Sequence, residues 1–441
     1  MTPMRPRYLI VLFIGIAVML LAATAMGYLI SRIPFRGHGV ALFIGVTLLL
    51  VFLVILIVRY LSLMWLGYLH HIETKIVDPP EESPYEPFVT IIVPAYNEEA
   101  VIVSAVQSLL ELDYPAYEIL VVDDGSTDGT AARVSELEGR YGDVTVRLVS
   151  KQNGGKASAL NAGIALARHG FVLCMDGDSR LTRGTLRAAM RHFRDPRVAA
   201  VAGNVKVVNR RNLWTRLQAL EYIEGLNMAR RAQGFLRAVN IIPGPIGIFR
   251  RDVLTQVGGY DTDTFAEDAD LTLKLLTAGY HIVFEDQAVA FTEAPEHLLD
   301  LLKQRYRWTR GILQSLMKRK AWLFLPKHGA AIWASLLFMF FEAILWPAAN
   351  IVGNLVFAVS ALEAGVAAYV LYWWLLLTLL DVTAAAYTIA MEEEDLGLVP
   401  YAVLYRYVFI ATIDVTKLCA TIEQFLGVRM TWGKLERVGR I

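Results

Sequence analysis

Long apolar runs stand near both ends of this chain and enclose a charged middle. The runs cover residues 8–30, 40–58, 330–361, 364–391 and 399–426. Each is long enough for a helix to cross the apolar core of a bilayer, which takes about 20 residues. The sequence therefore predicts a membrane hairpin at 1–71, a linker at 72–87, a soluble domain at 88–320, and at 321–441 an interface helix, further membrane segments and a tail.

Basic residues beside the apolar runs predict the orientation. Arg5 and Arg7 favour a cytosolic N-terminus, whereas Arg32 and Arg36 in the hairpin loop oppose it. A hairpin that starts inside returns the chain to the cytosol, so we expect a multi-pass protein of the cell (inner) membrane with a cytosolic soluble domain. Pro347 leaves the C-terminal topology open, because it either interrupts one crossing or separates two. A cytosolic tail is favoured by its basic residues, Lys434, Arg437 and Arg440.

Charge and cysteine content exclude two classes of protein. Lysine and arginine together number 42, as do aspartate and glutamate, so zero net charge indicates no nucleic-acid partner. Cys174 and Cys419 fall in different zones and are expected to be free thiols. Charged residues inside or beside the apolar runs are expected to face a bundle interior or the lipid headgroups. These residues are Glu342, Glu363, Asp381, Asp414 and Lys417.

The soluble middle alternates apolar, β-rich runs with helical patterns. Strands are predicted at residues 89–94, 117–122, 144–149 and 171–175, and helices at 99–112, 130–141, 157–168 and 271–278. Such alternation indicates an α/β fold in which helices cover both faces of a parallel sheet. Ligands of these sheets bind beyond the carboxyl ends of the strands, and that is where two acidic clusters fall.

Paired carboxylates follow two of the predicted strands. Asp176 and Asp178 are separated by one glycine, and two such oxygen ligands suit Mg²⁺ or Mn²⁺ beside substrate phosphates. Asp123 and Asp124 end the other strand; an aspartate there would accept hydrogen bonds from a nucleobase or ribose, or the pair simply forms an Asx turn. Lys156 follows two glycines at a predicted helix start, where it meets a phosphate or lies on the surface.

Two further groups precede the second set of apolar runs. Glu267 and Asp268 lead into a helical pattern, where they serve as a proton acceptor or only as favourable N-terminal helix charge. The segment 304–308 combines Gln304, Arg307 and Trp308 just before the membrane. Its tryptophan and arginine suit a sugar and a phosphate, or form part of an interfacial belt.

These motifs together resemble family 2 membrane glycosyltransferases. Pro-Ala-Tyr-Asn-Glu at 94–98, Asp-Asp-Gly-Ser at 123–126, Asp-Gly-Asp at 176–178, Glu-Asp at 267–268 and Gln-x-x-Arg-Trp at 304–308 occur in the order of that family. The chain is similar to the processive synthases of cellulose, chitin, hyaluronan and, most similar in size and layout, bacterial poly-β-1,6-N-acetylglucosamine. The resemblance implies a GT-A domain, Rossmann-like and binding a nucleotide sugar, joined to a helical transmembrane bundle.

The resemblance also implies roles for single residues. Asp268 would be the general base, with Glu267 beside it, and Asp176 and Asp178 would hold Mg²⁺ or Mn²⁺. The UDP-sugar would contact Ala95, Tyr96, Glu98, Asp124, Lys156, Asp176, Gly244, Gln304, Arg307 and Trp308, with Gly244 near the acceptor. One departure is Ala266, which stands where the family usually has threonine.

The implied function is inverting, processive polymerisation of a sugar, favoured to be N-acetylglucosamine, from a UDP-sugar into a β-linked polysaccharide that leaves across the membrane. The implied partners are the UDP-sugar donor, the growing glycan acceptor, membrane lipid and a small accessory membrane subunit, with no nucleic acid. The alternatives are single transfer to a lipid carrier, use of UDP-glucose or another UDP-sugar, and a transporter or scaffold with a degenerate transferase domain.

Overall fold

The computed structural model describes residues 40–74, 85–361 and 367–428, together with helical positions 14, 17, 21, 24 and 28. Apart from those single positions, the predicted run at 8–30 lies outside the described residues. So do Glu363, the arginines that served to predict the orientation and the basic tail.

Within the described residues, nine strands form one sheet. Its order is β3-β4-β2-β1-β5-β8-β7-β9-β6. The strands are β1 Val89–Ala95, β2 Tyr117–Asp123, β3 Gly139–Tyr141, β4 Val144–Ser150, β5 Phe171–Cys174, β6 Ser179–Leu181, β7 Val198–Val207, β8 Gly247–Arg250 and β9 His281–Thr292. Every residue of β1, β2 and β5 is buried, as expected for continuous apolar strands covered on both faces.

The sheet is mixed rather than parallel throughout. Strands β4, β2, β1 and β5 run parallel to one another, as the alternating sequence pattern predicts. Strand β8 then pairs antiparallel with both β5 and β7, and β6 pairs antiparallel with β9. The predicted α/β architecture with a helical membrane-type region is confirmed. The periodicity of single segments did not reveal the antiparallel pairs, because strand direction depends on how connections return to the sheet.

Helices flank this sheet, and one of them is shorter than predicted. The predicted helix at 130–141 ends at Ser135, and Gly139–Tyr141 pairs antiparallel with β4. Gly142, with φ +64°, makes the tight turn between those two strands. The helices are Ile102–Leu110, Thr130–Ser135, Lys156–Leu166, Thr185–Met190, Leu213–Leu220, Met228–Phe235, Arg251–Gln256, Glu267–Thr277 and Leu298–Lys318.

Four helices in the described part of the chain are long and apolar enough to cross a membrane, judged by length and composition. They are Val51–Ile72, Ala330–Val359, Trp374–Met391 and Leu396–Phe425. Helical structure continues from residue 330 to 361, so Pro347 does not divide that run into two separate segments. A π-helical turn at Phe341–Leu345 ends two residues before the proline, and such turns let a helix accommodate a missing backbone donor.

Charged side chains in these apolar helices pair with one another. Glu342 accepts a hydrogen bond of 2.6 Å from Arg59, and Asp381 accepts one of 2.6 Å from Arg406. The hydroxyl of Tyr60 also donates to Asp381 at 2.8 Å. Asp414 accepts from Asn350 at 2.8 Å. Paired charges facing the interior of the bundle match the first of the two predicted placements.

Candidate functional site

The candidate site lies where parallel strands β1, β2 and β5 end. Ala95 is the last residue of β1, and its carbonyl accepts a 2.8 Å hydrogen bond from the backbone N–H of Asp124, just beyond β2. Gly177 follows β5, and a Cβ on it would approach the carbonyl oxygen of Pro94 to 2.9 Å. Only glycine fits there without displacing the backbone. The sequence therefore brings three motifs to one edge of the sheet, as predicted.

The loop that contains Tyr96 and Glu98 is joined to the loop after β2. Between them, Asn97 adopts a positive φ of 54° and its backbone N–H donates to Ser126 at 2.9 Å. The backbone N–H of Glu98 donates to Thr130 at 2.8 Å. These bonds hold the loop in one conformation at the rim of the site, with the Tyr96 side chain 36% exposed.

Asp124 organises the loop that precedes Lys156. Its buried carboxylate accepts a hydrogen bond of 2.6 Å from the ammonium of Lys151 and one of 2.7 Å from the backbone N–H of Gly155. The N–H of Gly154 donates to the same carboxylate at 3.1 Å. Asp124 thus positions the start of the Lys156 helix, and its contact with a nucleoside stays a prediction.

Lys156 lies between two carboxylates. Its ammonium is 2.6 Å from Asp176 Oδ1 and 2.8 Å from Glu267 Oε1. Burial opposes the charged form of this lysine, but the two carboxylates outweigh burial and hold its pKa well above the usual range. In Glu267 burial likewise opposes ionisation, and Lys156 outweighs it, so that the Glu267 pKa lies below its usual value.

The environment of Asp268 favours its protonated form, unlike that of Glu267. Burial, reinforced by the negative charge of Glu267, raises the pKa of the Asp268 carboxyl to about 6. Its Oδ1 accepts a 2.8 Å hydrogen bond from the backbone N–H of Ala269. Two adjacent carboxyl groups therefore differ, one held as an anion by Lys156 and one poised to exchange a proton near neutral pH. Such a pair is typical of sites that perform acid–base chemistry.

These groups line the same pocket. Its polar wall consists of Lys156, Asp176, Glu267 and Asp268, and Gly244 closes one side. A Cβ on Gly244 would lie 2.9 Å from the Lys156 ammonium and 3.0 Å from Asp176 Oδ2. The remaining wall is mostly apolar and includes Leu160, Cys174, Ile242, Phe249 and Tyr260. Sequence analysis did not single out that wall, because its members look like ordinary core residues.

Asp178 and the segment 304–308 lie outside this pocket wall. Asp178 is buried beside Ser179. Gln304, Arg307 and Trp308 lie on the helix Leu298–Lys318, where Arg307 donates at 3.3 Å to the carbonyl of Phe265, two residues before Glu267. The helix is therefore adjacent to the acidic pair, and Gln304 itself is buried.

Arg305 occupies one of the two unspecified positions in the Gln-x-x-Arg-Trp motif, and it orients Trp308. The Arg305 guanidinium lies 4.1 Å from the centre of the Trp308 ring. It is almost fully buried and forms a two-point ion pair with Glu221, one contact being 3.0 Å. Arg305 also donates to the side-chain oxygen of Gln304. The sequence signal was a second basic residue within the motif, which alone did not distinguish Arg305 from an interfacial arginine.

The donor set fits a divalent cation that shares its ligands with a substrate. Among the described residues, no three His, Cys, Asp or Glu side chains are grouped so as to hold a metal ion. Mg²⁺, however, usually binds through one or two carboxylates plus substrate phosphates. The Asp176 carboxylate lines the pocket and already binds one cation, the Lys156 ammonium, which is consistent with that chemistry.

Comparison with known families agrees with this arrangement. Residues 86–311, just over half of the chain, match the family described as "Glycosyltransferase like family 2". The chain belongs to this family. The matched region contains all five motifs of the sequence analysis.

Two curated relatives are named poly-β-1,6-N-acetyl-D-glucosamine synthase. The protein from Staphylococcus aureus (strain COL) is 33% identical and that from Staphylococcus epidermidis 32% identical, each over 231 residues. The alignment covers 52% of this chain and 56% of each relative, so the chain spans about half the length of the curated relatives it matches.

A solved structure shares the fold of this glycosyltransferase-like chain. It is the mannosyltransferase of Pyrobaculum calidifontis, determined in complex with GDP-Man and Mn²⁺. The TM-score is 0.62 at 23% sequence identity, over 88% of this chain and the whole of that one. At this identity the likeness shows the fold, and the ligands belong to that protein.

Proposed function

We propose that this chain is an inverting glycosyltransferase that adds N-acetylglucosamine from UDP-N-acetylglucosamine to a growing β-linked glycan. The observation that carries the proposal is the pocket in which Lys156 bridges Asp176 and Glu267 beside Asp268. The names of the curated relatives support this sugar and its polymerisation. The apolar helices joined to the domain support a multi-pass membrane protein. We propose that the active site faces the cytosol, because the charged donor is available there.

In the proposed reaction, a hydroxyl of the acceptor sugar attacks the anomeric carbon of the donor. Its proton passes to the Asp268 carboxylate, and the bond to the UDP oxygen breaks on the opposite face, which inverts the configuration. Lys156 and Arg307 supply positive charge where the diphosphate becomes more negative. Asp176 would hold Mg²⁺ or Mn²⁺, which neutralises the leaving diphosphate when bound, and Asp178 is the second ligand that the sequence predicts.

The direct test incubates the purified full chain in lipid with radiolabelled UDP-N-acetylglucosamine. We expect UDP release together with a long product that a β-1,6-specific hexosaminidase degrades, and loss of both when EDTA removes divalent metal. A product that carries one added sugar would contradict processive synthesis and support transfer to a carrier. Turnover of UDP-glucose in preference would overturn the assignment of the sugar.

Gly244→Ala should impair the reaction without unfolding the protein. The new methyl group would displace Lys156 and Asp176. Because a displacement of about 1 Å in a catalytic group can cost on the order of a hundredfold in rate, we expect a fall of that size in kcat/KM. Gly170→Ala is the control, since a Cβ there meets no atom within 4 Å. Equal activity of the two variants would contradict the close packing of Gly244 on the site.

The substitution Arg305→Lys tests whether the Arg305 guanidinium holds the Trp308 ring in its orientation. Lysine keeps the positive charge but loses the planar, two-point contact with Glu221 and the stacking on the ring. We expect transfer to fall roughly tenfold, the equivalent of one charge-assisted hydrogen bond, with UDP affinity unchanged. Lys303→Arg on the exposed face of the same helix should have no effect. Weaker UDP binding in Arg305→Lys would instead show that this arginine supports the donor.

The pH dependence follows from the raised pKa of Asp268. A general base is active when deprotonated, so kcat/KM should fall as pH drops below about 6, roughly tenfold per pH unit. UDP release measured across the acid range checks this limb, with circular dichroism as the control for unfolding. A rate independent of pH through this range would exclude Asp268 as the titrating base.

A further inference from the structure

A π-helical segment of the catalytic domain contacts the apolar helices. It covers Glu221–Asn227 and lies within one longer helix. Its two glutamates face different neighbours. Glu221 pairs with Arg305, which orients Trp308, whereas Glu224 is buried and contacts a residue of the apolar helix Val51–Ile72. One short segment therefore touches both the apolar bundle and a side chain that supports the candidate site.

The hydroxyl of Tyr60 lies between Glu224 and a second carboxylate. Its oxygen is 2.8 Å from Asp381 Oδ1 and 3.1 Å from Glu224 Oε1. A tyrosine hydroxyl carries one proton, so it donates to only one of these two oxygens. Asp381 is ionised by its pairing with Arg406 and can only accept, and it is also the closer of the two. The proton in the contact between Tyr60 and Glu224 must therefore come from Glu224.

The arginines near Glu224 are already paired with other carboxylates. Arg59 binds Glu342 at 2.6 Å, and Arg406 binds Asp381 at 2.6 Å. Glu224 forms no ion pair with any residue that the structure describes. Its second oxygen, Oε2, is buried and has no hydrogen-bond partner in the described part of the chain. A buried carboxylate without a counter-charge is strongly unfavourable, and such a group takes up a proton instead.

The electrostatic surroundings agree with this geometry. Burial, and after it the negative charge of Asp381, raises the pKa of the Glu224 carboxyl to about 8. The neighbouring hydroxyl and the two arginines act against burial without cancelling it. Two other titratable side chains approach the π-helical segment, and neither supplies a counter-charge. Tyr405 contributes an uncharged hydroxyl, and Lys206, on the adjacent strand β7, binds Glu394 at 3.0 Å.

We propose that Glu224 is a proton-binding site whose proton joins the catalytic domain to the apolar bundle. With the proton bound, Glu224 donates to Tyr60 and Tyr60 donates to Asp381, which forms an unbroken chain of hydrogen bonds. When the proton leaves, two carboxylates face a single hydroxyl proton and repel each other. The contact between the π-helical segment and the bundle then breaks at Tyr60.

Loss of this proton reaches Trp308 through the π-helical segment. Glu221 lies three residues before Glu224 on the same segment and forms the two-point ion pair with Arg305. A shift of the segment away from the bundle moves Glu221, and the Arg305 guanidinium that stacks on Trp308 moves with it. Glu224 is not part of the pocket around Lys156, so donor binding is unchanged. This effect on sugar transfer rests on the proposed function, whereas the proton site itself does not.

Sugar transfer at two pH values tests the link to Trp308. In the purified full chain in lipid, we expect transfer to fall roughly tenfold from about pH 7 to about pH 9 with UDP affinity unchanged, because Glu224 goes from mostly protonated to mostly ionised. Over this range Asp268 is already ionised and Lys156 keeps its charge. Glu224→Gln and Glu224→Met do not ionise, so the fall should be absent in both. Glu136→Gln, at an exposed glutamate, is the matched control and should show the wild-type fall.

Infrared difference spectroscopy tests the proton itself and does not depend on sugar transfer. The spectrum of the wild-type chain minus that of Glu224→Gln should contain the C=O band of one protonated carboxyl group at about pH 7, and this band should disappear with a midpoint at about pH 8. Circular dichroism checks that each variant is folded.

The two measurements separate the ways in which the proposal can fail. No protonated band at about pH 7 would show that Glu224 is ionised and would overturn the proton site. Wild-type transfer that is equal at both pH values, or an undiminished fall in both Glu224 variants, would overturn the link to Trp308. If no UDP-sugar is transferred at all, the proposed function fails, and the infrared titration still decides whether Glu224 binds the proton.

Discussion

Asp268→Asn should abolish sugar transfer while UDP still binds. The amide has the size and shape of the carboxylate but does not accept the acceptor's proton, and loss of a general base costs about 10²- to 10⁴-fold in rate. Lys156, Asp176 and Glu267 keep their mutual contacts, so the donor side is unchanged. UDP release and binding of labelled UDP, measured on the same preparation, separate the two effects.

The neighbouring acidic residue provides the comparison for that experiment. Glu267→Gln removes a partner of Lys156 and should weaken donor binding more than it slows the transfer step. Asp252→Asn, on an exposed helix outside the pocket, is the control and should retain wild-type transfer. Full transfer by Asp268→Asn would show that the base is a different group, and Glu267 would be the first candidate.

Lys156→Met should be the most damaging change on the donor side. Methionine preserves most of the aliphatic stem, yet Asp176 and Glu267 lose their shared cation and repel each other. Charge-assisted contacts contribute about 1.5–3 kcal/mol each, so the loss of two predicts a fall in kcat/KM of about a hundredfold or more. Lys303→Met, an exposed lysine on the helix Leu298–Lys318, is the matched control.

The same variant should change the pH profile in a defined direction. The positive charge of Lys156 favours ionisation of Asp268, so its removal raises the Asp268 pKa further above about 6. The acid limb of any residual activity should therefore move to higher pH. An acid limb that stays in place, or moves lower, would mean that Lys156 and the base do not interact as the structure indicates.

Much of the catalytic domain could be predicted from the sequence, because its signals are local. The continuous apolar runs that form β1, β2 and β5 end in acidic or turn residues, and neighbouring parallel strands end at one edge of a sheet. That reasoning correctly placed Ala95, Asp124 and Asp176 at this edge. It was wrong for the segment 136–141, where pairing with the edge of β4 overrides a weak helical pattern.

Other features of the site depend on contacts between distant residues. Lys156 and Glu267 are more than a hundred positions apart, and nothing in either local sequence indicates that they form an ion pair. Arg305 and Glu221 are 84 positions apart, and their local sequences likewise do not indicate the pairing that orients Trp308. The ionisation of Asp268 is also a tertiary property, because burial and the charge of Glu267 set its pKa.

The sequence alone determined that the chain has apolar helices around an α/β domain, since hydropathy and periodicity are properties of short segments. It also determined which residue types meet at the strand ends. Only the tertiary structure decided that Lys156 joins two carboxylates and that Arg406 pairs with Asp381 between apolar helices. The physical reason is that each of these ion pairs joins side chains from different elements. Hydropathy and periodicity describe one element at a time and do not specify its partner.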